Sequence, residues 1–233
     1  MPDTVFITGG SRGIGAACVH AFSNAGWNVA FTYLANRELA GVLAEQTGAI
    51  ALCADLSDDK AVCRAAAEAA SHFGAVDAVV CNAGIAEQNA MGVAAGMAAT
   101  GLTVFAHSFG CFASRRMFDQ AFLAAGYSEL PVHVIGSDPG VTAAFNGATH
   151  MPFEDCALYM TIPNAVVIDS CDFAQTKSLT KKLAADNRPS YMRLIRKGFT
   201  TVYADGSEFE IGKGVTLKTG TDVTIIASGI MVD

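Results

Sequence analysis

Apolar residues in this chain come in short, dense runs set between polar or glycine-rich turns. The first is Thr4-Val5-Phe6-Ile7, followed by Asn28-Val29-Ala30-Phe31-Thr32-Tyr33, Ile50-Ala51-Leu52-Cys53-Ala54 and Val76-Asp77-Ala78-Val79-Val80-Cys81. Unbroken apolarity over a short run, rather than alternation, marks strands covered on both faces. Longer helical stretches separate them: from the glycine cluster at 9–15 to about Asn24, over residues 36–47, and from Asp58 to Phe73 with Ser57 or Asp58 as N-cap. A further helix of small residues runs from about Ala86 to Ala99. Strand–helix alternation of this kind predicts an α/β fold of three layers, α/β/α, around a mainly parallel sheet with right-handed crossovers.

Composition narrows the class. With 233 residues the chain makes one large or two small domains, and 52% hydrophobic against 16% charged residues is enough for a sizeable core. A net charge of −7 argues against nucleic acid or an anionic membrane as partner, so any phosphate site must be built locally. No pair of the seven cysteines has CxxC spacing and most lie in apolar surroundings, as buried free thiols of a reducing cytosol would. A strand close behind Met1 leaves no room for a signal peptide, and no apolar run reaches the roughly 18 residues of a membrane span. The expected location is cytoplasmic.

The chemistry begins at Thr8-Gly9-Gly10-Ser11-Arg12-Gly13-Ile14-Gly15, between a strand and a helix. Glycines there let backbone N–H groups approach a pyrophosphate at the helix N-terminus. This spacing, with Asp55 after the third strand and Asn82-Ala83-Gly84 after the fourth, resembles the short-chain dehydrogenase/reductase family over residues 3 to about 86. The resemblance implies that Gly9, Ser11, Arg12, Gly13, Ile14 and Gly15 cradle a dinucleotide, that Asp55 contacts adenine, and that Asn82 and Gly84 border the adenine ribose. The second strand ends without an Asp or Glu for a ribose 2′-OH, whereas Arg12 and Arg37 lie nearby, which favours NADP(H). That family's catalytic Tyr-x-x-x-Lys pair is absent: Tyr33, Tyr127, Tyr159, Tyr191 and Tyr203 are followed four residues on by Arg37, Pro131, Pro163, Ile195 and Ser207.

From Gly84 onward the sequence resembles a different family, the pyrimidine-binding domain of transketolases and their relatives, deoxyxylulose phosphate synthase among them. The resemblance rests on Gly84-Ile85-Ala86-Glu87-Gln88-Asn89, Phe105 to Gln120, Asn146-Gly147-Ala148-Thr149-His150, Glu154-Asp155, Ile162-Pro163-Asn164 and Tyr191 to Arg196, in order. It implies that Glu87 bonds the aminopyrimidine of thiamine diphosphate and drives its imino tautomer. Phe109 and Phe112 then stack on the ring, with Phe105 spaced to join them, His150 contacts substrate hydroxyls, and Arg196 binds a sugar phosphate. Physically, a partly desolvated carboxyl at a strand–helix junction holds its proton more tightly and can share it with a ring nitrogen. A Glu in the first helical turn is also favoured by the helix dipole, the alternative reading. Two departures concern the substrate: Ser137-Asp138 stands where many relatives have Ser-His, and Phe145-Asn146-Gly147 where many have Glu-Asp-Gly. The family's Gly-Asp-Gly…Asn metal motif is missing, so no metal ligand is assigned. The resemblance then implies that Mg²⁺ and the diphosphate belong to a diphosphate-binding subunit or to another copy in a homo-oligomer.

The expected organisation is a Rossmann-like NADP-binding half over 1–84, fused to a thiamine-diphosphate-type pyrimidine-binding region over 85–204. Residues 205–233 then form a linker and the first strand, 222–227, of a truncated further domain. Three functions fit such a chimera. One is a small transketolase subunit that is inactive alone; another is an NADP(H)-binding reductase-like protein without its catalytic pair; the last is a non-catalytic chimeric or engineered α/β protein.

Overall fold

The computed structural model describes residues 2–82, 87–196 and 200–232; Gly84 and the first residue expected of the helix beginning near Ala86 lie outside them. Strands β1 (Thr4–Ile7), β2 (Asn28–Tyr33), β3 (Ile50–Cys53) and β4 (Ala78–Cys81) alternate with helices α1 (Gly13–Asn24), α2 (Arg37–Thr47) and α3 (Asp59–Phe73). Asp58 is the N-cap of α3, its carboxylate accepting from Lys60 N–H at 3.0 Å. Next come α4 (Glu87–Ala99), β5 (Thr103–Phe109), α5 (Gly110–Arg115), α6 (Phe118–Gln120) running into a π-helical turn (Ala121–Tyr127), and β6 (Val132–Ser137). The chain closes with α7 (Asp155–Tyr159), β7 (Val166–Asp169), α8 (Phe173–Ala184) and β8 (Ser190–Leu194). No described helix is long and apolar enough to cross a membrane.

Among the described residues eight strands form one sheet in the order β3-β2-β1-β4-β5-β6-β8-β7, and every neighbouring pair is parallel. It runs unbroken past residue 84: Val79 pairs with Val104 and Val80 with Phe105. Alternate residues of each strand serve opposite layers. Phe6, Val79, Val104 and Val134 pack with Ala65, Ala69, Met91, Ala95 and Ala98 of α3 and α4. Val5, Ile7 and Val80 face Val19 of α1 and Ala40 and Leu43 of α2, while Ile135, Ile168 and Met192 face Leu179 and Leu183 of α8. Small residues on α4 let its backbone approach the sheet closely, and Met91, fully buried, is worth about 1.5–3 kcal/mol there.

The strand order reverses twice. After β3 the chain returns past β1 to lay down β4, and after β7 takes the edge, β8 comes back to sit beside β6. Open parallel sheets bind ligands outside the carboxyl ends of their strands at such reversals. The glycine turn and Asn82 stand at the first; Ser137, Asp138 and Arg196 stand at the second.

A buried polar clamp holds the second half together. Asp155, 0% exposed, accepts from the Tyr191 hydroxyl at 2.7 Å and from Arg193 Nε and Nη2 at 2.9 and 2.5 Å, while Arg193 Nη1 reaches Asp169 at 3.2 Å. Tyr191 stacks on Tyr159 with ring centroids 4.2 Å apart and planes 10° from parallel. Asp172 caps α8 through Gln175 N–H and also accepts from Val202 and Tyr203 N–H at 3.0 and 2.7 Å, which fixes the segment after residue 200. The strand expected over 222–227 does not form. No described strand lies beside it to complete a ladder, and Val223, Ile225 and Ile226 are 75%, 83% and 94% exposed. The seven cysteines are free, but Cys53 and Cys63 are exposed rather than buried, being on an outward face of β3 and of α3.

Two glycines should respond oppositely to an added methyl group. At Gly136 a Cβ would lie 2.0 Å from the Tyr191 hydroxyl, which the Asp155 carboxylate holds in place. Gly136→Ala should therefore destabilise by about 1–3 kcal/mol. At Gly92, inside α4, a Cβ meets nothing within 4 Å, so Gly92→Ala should stabilise by about 0.5–1 kcal/mol. Urea denaturation midpoints measure both; equal responses would contradict the packing described.

Candidate cofactor and substrate site

Glu87 opens α4 and is 4% exposed. Its Oε1 accepts from Ser108 Oγ on β5 at 3.4 Å. Its Oε2 is out of solvent and receives no hydrogen bond, although the half-exposed Arg116 brings Nη1 to 3.5 Å as an ion pair. Arg116 also lies over the Phe112 ring, Cζ 4.0 Å from the centroid. Phe109 ends β5 and caps α5, which places Phe112 one turn further on. Gly110 permits this start: a Cβ there would stand 2.9 Å from Pro152 and 3.2 Å from the Ser137 carbonyl.

His150 completes an edge-to-face aromatic corner, 5.3 Å from Phe109 and 5.1 Å from Phe112 by ring centroids. Arg115 steadies its loop, gripping the Glu154 carboxylate with Nε and Nη2 and donating to the Met151 carbonyl at 3.1 Å. That grip holds the Glu154 carboxyl down at about 2. On the other side of the corner the Arg196 guanidinium sits 4.6 Å from the Phe109 ring and donates from Nε to Asp138 at 2.5 Å. Asp138 is buried, with φ +58°, and its N–H donates to the Leu194 carbonyl at 2.8 Å. One continuous row results: Glu87, Arg116, Phe112, His150, Phe109, Arg196, Asp138.

His107, half-buried on β5, belongs to a neighbouring network. Asn82 donates from Nδ2 to the carbonyls of Thr8 and Gly9 at 3.3 and 3.1 Å, so its Oδ1 faces His107 Nδ1 at 3.1 Å and accepts from it. That fixes the proton on Nδ1 and leaves Nε2 a buried lone pair without a partner. Burial pushes His107 down from its usual 6.5 to about 4, against the pull of Asp138. The glycine turn itself is sterically tight: a Cβ on Gly15 would come within 2.2 Å of the Gly9 carbonyl, and one on Gly10 within 2.4 Å of Phe31 Cβ. Gly9 and Gly13 take positive φ, 64° and 58°. Arg12 is the N-cap of α1 but makes no side-chain cap, so the helix's first N–H groups are left open at the turn.

The model of the family described as "Transketolase, pyrimidine binding domain" matches residues 28–200, about three quarters of the chain. The chain belongs to this family. Among relatives of this pyrimidine-binding domain, the 6-deoxy-6-sulfo-D-fructose transketolase subunit of Clostridium sp. (strain MSTE9) is 46% identical over 149 residues, 64% of this chain and 46% of the relative. One of the subunits of the apulose-4-phosphate transketolase of Phocaeicola vulgatus is 40% identical over 147 residues, 63% of this chain and 47% of the relative. The chain thus spans about half the length of these curated relatives. A solved structure described as "Split gene transketolase, inactive beta4 tetramer" aligns with TM-score 0.59 and 43% identity, covering 64% of this chain and 48% of that one. A short-chain dehydrogenase/reductase from Serratia marcescens aligns over 83% of this chain and 96% of its own at TM-score 0.54 and 20% identity, a likeness of fold. The family match begins at residue 28, upstream of the junction near residue 84 that the motifs pointed to.

Of the residues expected to act in the pyrimidine-binding domain, Glu87, Phe109, Phe112, His150 and Arg196 are brought together. Phe105 is not. It faces the same side of β5 as Phe109 but sits mid-strand, tilted against His133 at 4.8 Å under the α8 layer. At the first reversal, Gly9, Gly13 and Gly15 shape the turn, and Ser11 and Ile14 are half-buried beside it. Arg12 and Arg37 are exposed. The side chain of Asn82 is already engaged by the turn and by His107. Asp55 is exposed and turned on its own loop, where Ser57 N–H and Oγ donate to Oδ1 at 2.9 and 2.7 Å and hold its carboxyl below the usual range. Sequence reasoning missed Arg116, Ser108, His107 and the role of Asp138. For Arg116 a signal existed: it follows Phe112 by four residues at a helix end, the spacing that stacks side chains on one face.

Both depressed histidines bear on acid stability. His133, 1% exposed and bonded to Ser190 Oγ at 2.9 Å, is likewise pushed by burial to about 4. The unfolded chain takes up protons near 6.5 while the folded one resists until about 4. Their contribution to stability is therefore complete above 6.5 and lost as pH falls toward about 4, with a slope of up to about 1.4 kcal/mol per pH unit for each imidazole. His107→Gln should shallow the fall in urea midpoint between pH 6.5 and about 5 relative to the parent; an unchanged slope would show that His107 titrates normally.

Proposed function

We propose that the chain is the pyrimidine-binding half of a transketolase-type, thiamine-diphosphate-dependent ketol transferase, and that it works with a diphosphate-binding partner subunit. On this reading residues 85–204 are the pyrimidine-binding region and residues 1–84 a nucleotide-binding half. The observation that carries it is Glu87 Oε2, a buried carboxylate oxygen lacking a hydrogen-bond donor and linked to the Phe112 ring through Arg116. A buried acceptor in that state costs stability unless something supplies a donor, and an aminopyrimidine ring laid against Phe112 fits the donor set. Glu87 would then hold or share the proton at Oε2, while Ser108 keeps the carboxyl plane in place through Oε1. His150, pinned by the Arg115 loop, meets a substrate hydroxyl, and Arg196 meets the phosphate of a sugar phosphate with its remaining N–H groups. Thiamine diphosphate, when bound, supplies stabilisation of the carbanion released by ketose cleavage; Mg²⁺ and the diphosphate fall to the partner. The names of the relatives, sugar transketolase subunits, support the substrate class, and the solved relative described as inactive supports a chain that is silent by itself.

The test mixes the chain with a diphosphate-binding subunit, thiamine diphosphate and Mg²⁺ and follows ketol transfer. Glu87→Gln keeps the size and loses the shared proton, so activity should fall on the order of 10²-fold or more with the fold unchanged. Full activity in that variant would remove Glu87 from the mechanism. Failure of any such partner to activate the folded parent would leave the non-catalytic reading.

The glycine turn supports a second reading for residues 1–84, because the open first turn of α1 stands behind two positive-φ glycines with Arg12 and Arg37 exposed near it. The chain should bind NADPH more tightly than NADH by calorimetry, and should reduce no aldehyde or ketone for want of a Tyr-x-x-x-Lys pair. Tighter NADH binding, or measurable reduction, would contradict it.

A further inference from the structure

The arginines around the site are held in very different ways. Arg193 is a structural residue, its side chain 19% exposed and locked between Asp155 and Asp169. Arg115 and Arg196 each donate good hydrogen bonds to one carboxylate. Arg116 does neither. Its side chain is 51% exposed, its approach to Glu87 Oε2 is 3.5 Å without a hydrogen bond, and its guanidinium sits over Phe112 with Cζ 4.0 Å from the ring centroid.

A guanidinium is a flat N–C–N unit that stacks on aromatic faces and aims N–H groups at carboxylates. An aminopyrimidine carries the same flat N–C–N unit. We propose that Arg116 stands in the place of the cofactor's pyrimidine ring in the unliganded chain, as a self-ligand that the ring must displace. This rests on the reading of Glu87 and Phe112 as the pyrimidine site and adds to it a residue that competes for that site. Two planar groups cannot cover one face of Phe112 and meet one carboxylate oxygen together. The loose contact suits a placeholder: it lends the buried carboxylate a counter-charge, yet a half-exposed side chain held by a long ion pair and a ring contact, with no hydrogen bond, is readily displaced. The chain alone then has a low affinity for the ring, and a partner that draws Arg116 away, or that contributes the diphosphate contacts, raises it.

The experiment uses the chain alone with thiamine, which lacks the diphosphate, followed by calorimetry. Arg116→Met keeps the length and removes the planar cation. It should bind thiamine roughly five- to thirtyfold more tightly than the parent, the sum expected of one weak ion pair and one cation–π contact. Equal or weaker binding, or no measurable binding by the variant, overturns the proposal; weaker binding would make Arg116 a cofactor contact instead. Glu87→Gln separates the two levels. If it abolishes thiamine binding while Arg116→Met gives no gain, the placeholder falls and the pyrimidine site stands. If it leaves binding intact, the site reading itself falls. A ligand-free measurement tests the contact directly: Arg116→Met should lower the urea midpoint by stranding the Glu87 carboxylate, and Glu87→Gln in the same chain should restore part of the loss. Additive effects of the two substitutions would show that the side chains do not meet.

Discussion

The candidate site depends on one buried carboxylate that takes no part in it. Asp155, fully enclosed, receives the Tyr191 hydroxyl and two nitrogens of Arg193, and so joins α7 to β8 across the space where β6 ends. The loop that carries His150 leaves β6 at Asp138 and ends at Asp155; Arg196 is two residues beyond β8. Asp155 ties the far end of that loop to β8 through Tyr191 and Arg193, and Asp138 ties the near end there through Leu194 and Arg196, so His150 lies on a loop held at both ends. A buried pair of this kind is weak evidence for net stability, but losing one partner strands the other and costs about 3–5 kcal/mol. Its value here is geometric.

The same economy of charge governs the row above it. Glu87 faces Arg116, Glu154 faces Arg115 and Asp138 faces Arg196. Each arginine thus arrives with a carboxylate, so the site is polar without carrying a large net field. The three pairs are not equivalent. Arg115 and Arg196 are oriented by hydrogen bonds, and both lie beside elements that must not move: the His150 loop and the end of β8. Arg116 is held by a ring contact and a longer ion pair.

Much of the fold was legible in the chain because unbroken apolar runs in a strand–helix alternation have few solutions other than a covered parallel sheet. The first seven elements fell within a few residues of expectation, with Asp58 as the cap of α3. Pattern alone could not yield the order β6-β8-β7, because the more apolar run, Val166-Val167-Ile168-Asp169 of β7, takes the edge while Ser190-Tyr191-Met192-Arg193-Leu194 of β8 sits inside, and the side taken by α8 decides between them. The run at 222–227 is expected as a strand because it resembles the first strand of the family's further domain, but a strand needs a neighbour, and that is not a local property. In the site, Glu87, Phe109, Phe112, His150 and Arg196 follow from the resemblance to the pyrimidine-binding domain, and the fold places them side by side. What was not legible was pairing. That Asp138 meets Arg196 across 58 residues, or that His107 finds Asn82 across 25, follows from register between strands.

That register also explains how two kinds of motif share one sheet. β4 is the last strand of the glycine-turn half and the first neighbour of β5, which carries Ser108 and Phe109. Since parallel pairing puts all carboxyl ends on one edge, the turn after β1, Asn82 after β4 and Phe109 at the end of β5 necessarily open on the same side of the molecule. Asn82 is the physical link: one end of its amide is bound by the glycine turn and the other by His107, which feels the charges of both Asp138 and Arg196. The two reversals of the sheet are therefore not independent surfaces. An interaction that reshapes the turn at Thr8 and Gly9 acts on the Asn82 amide, and through it on His107, whose Nε2 is buried without a hydrogen bond.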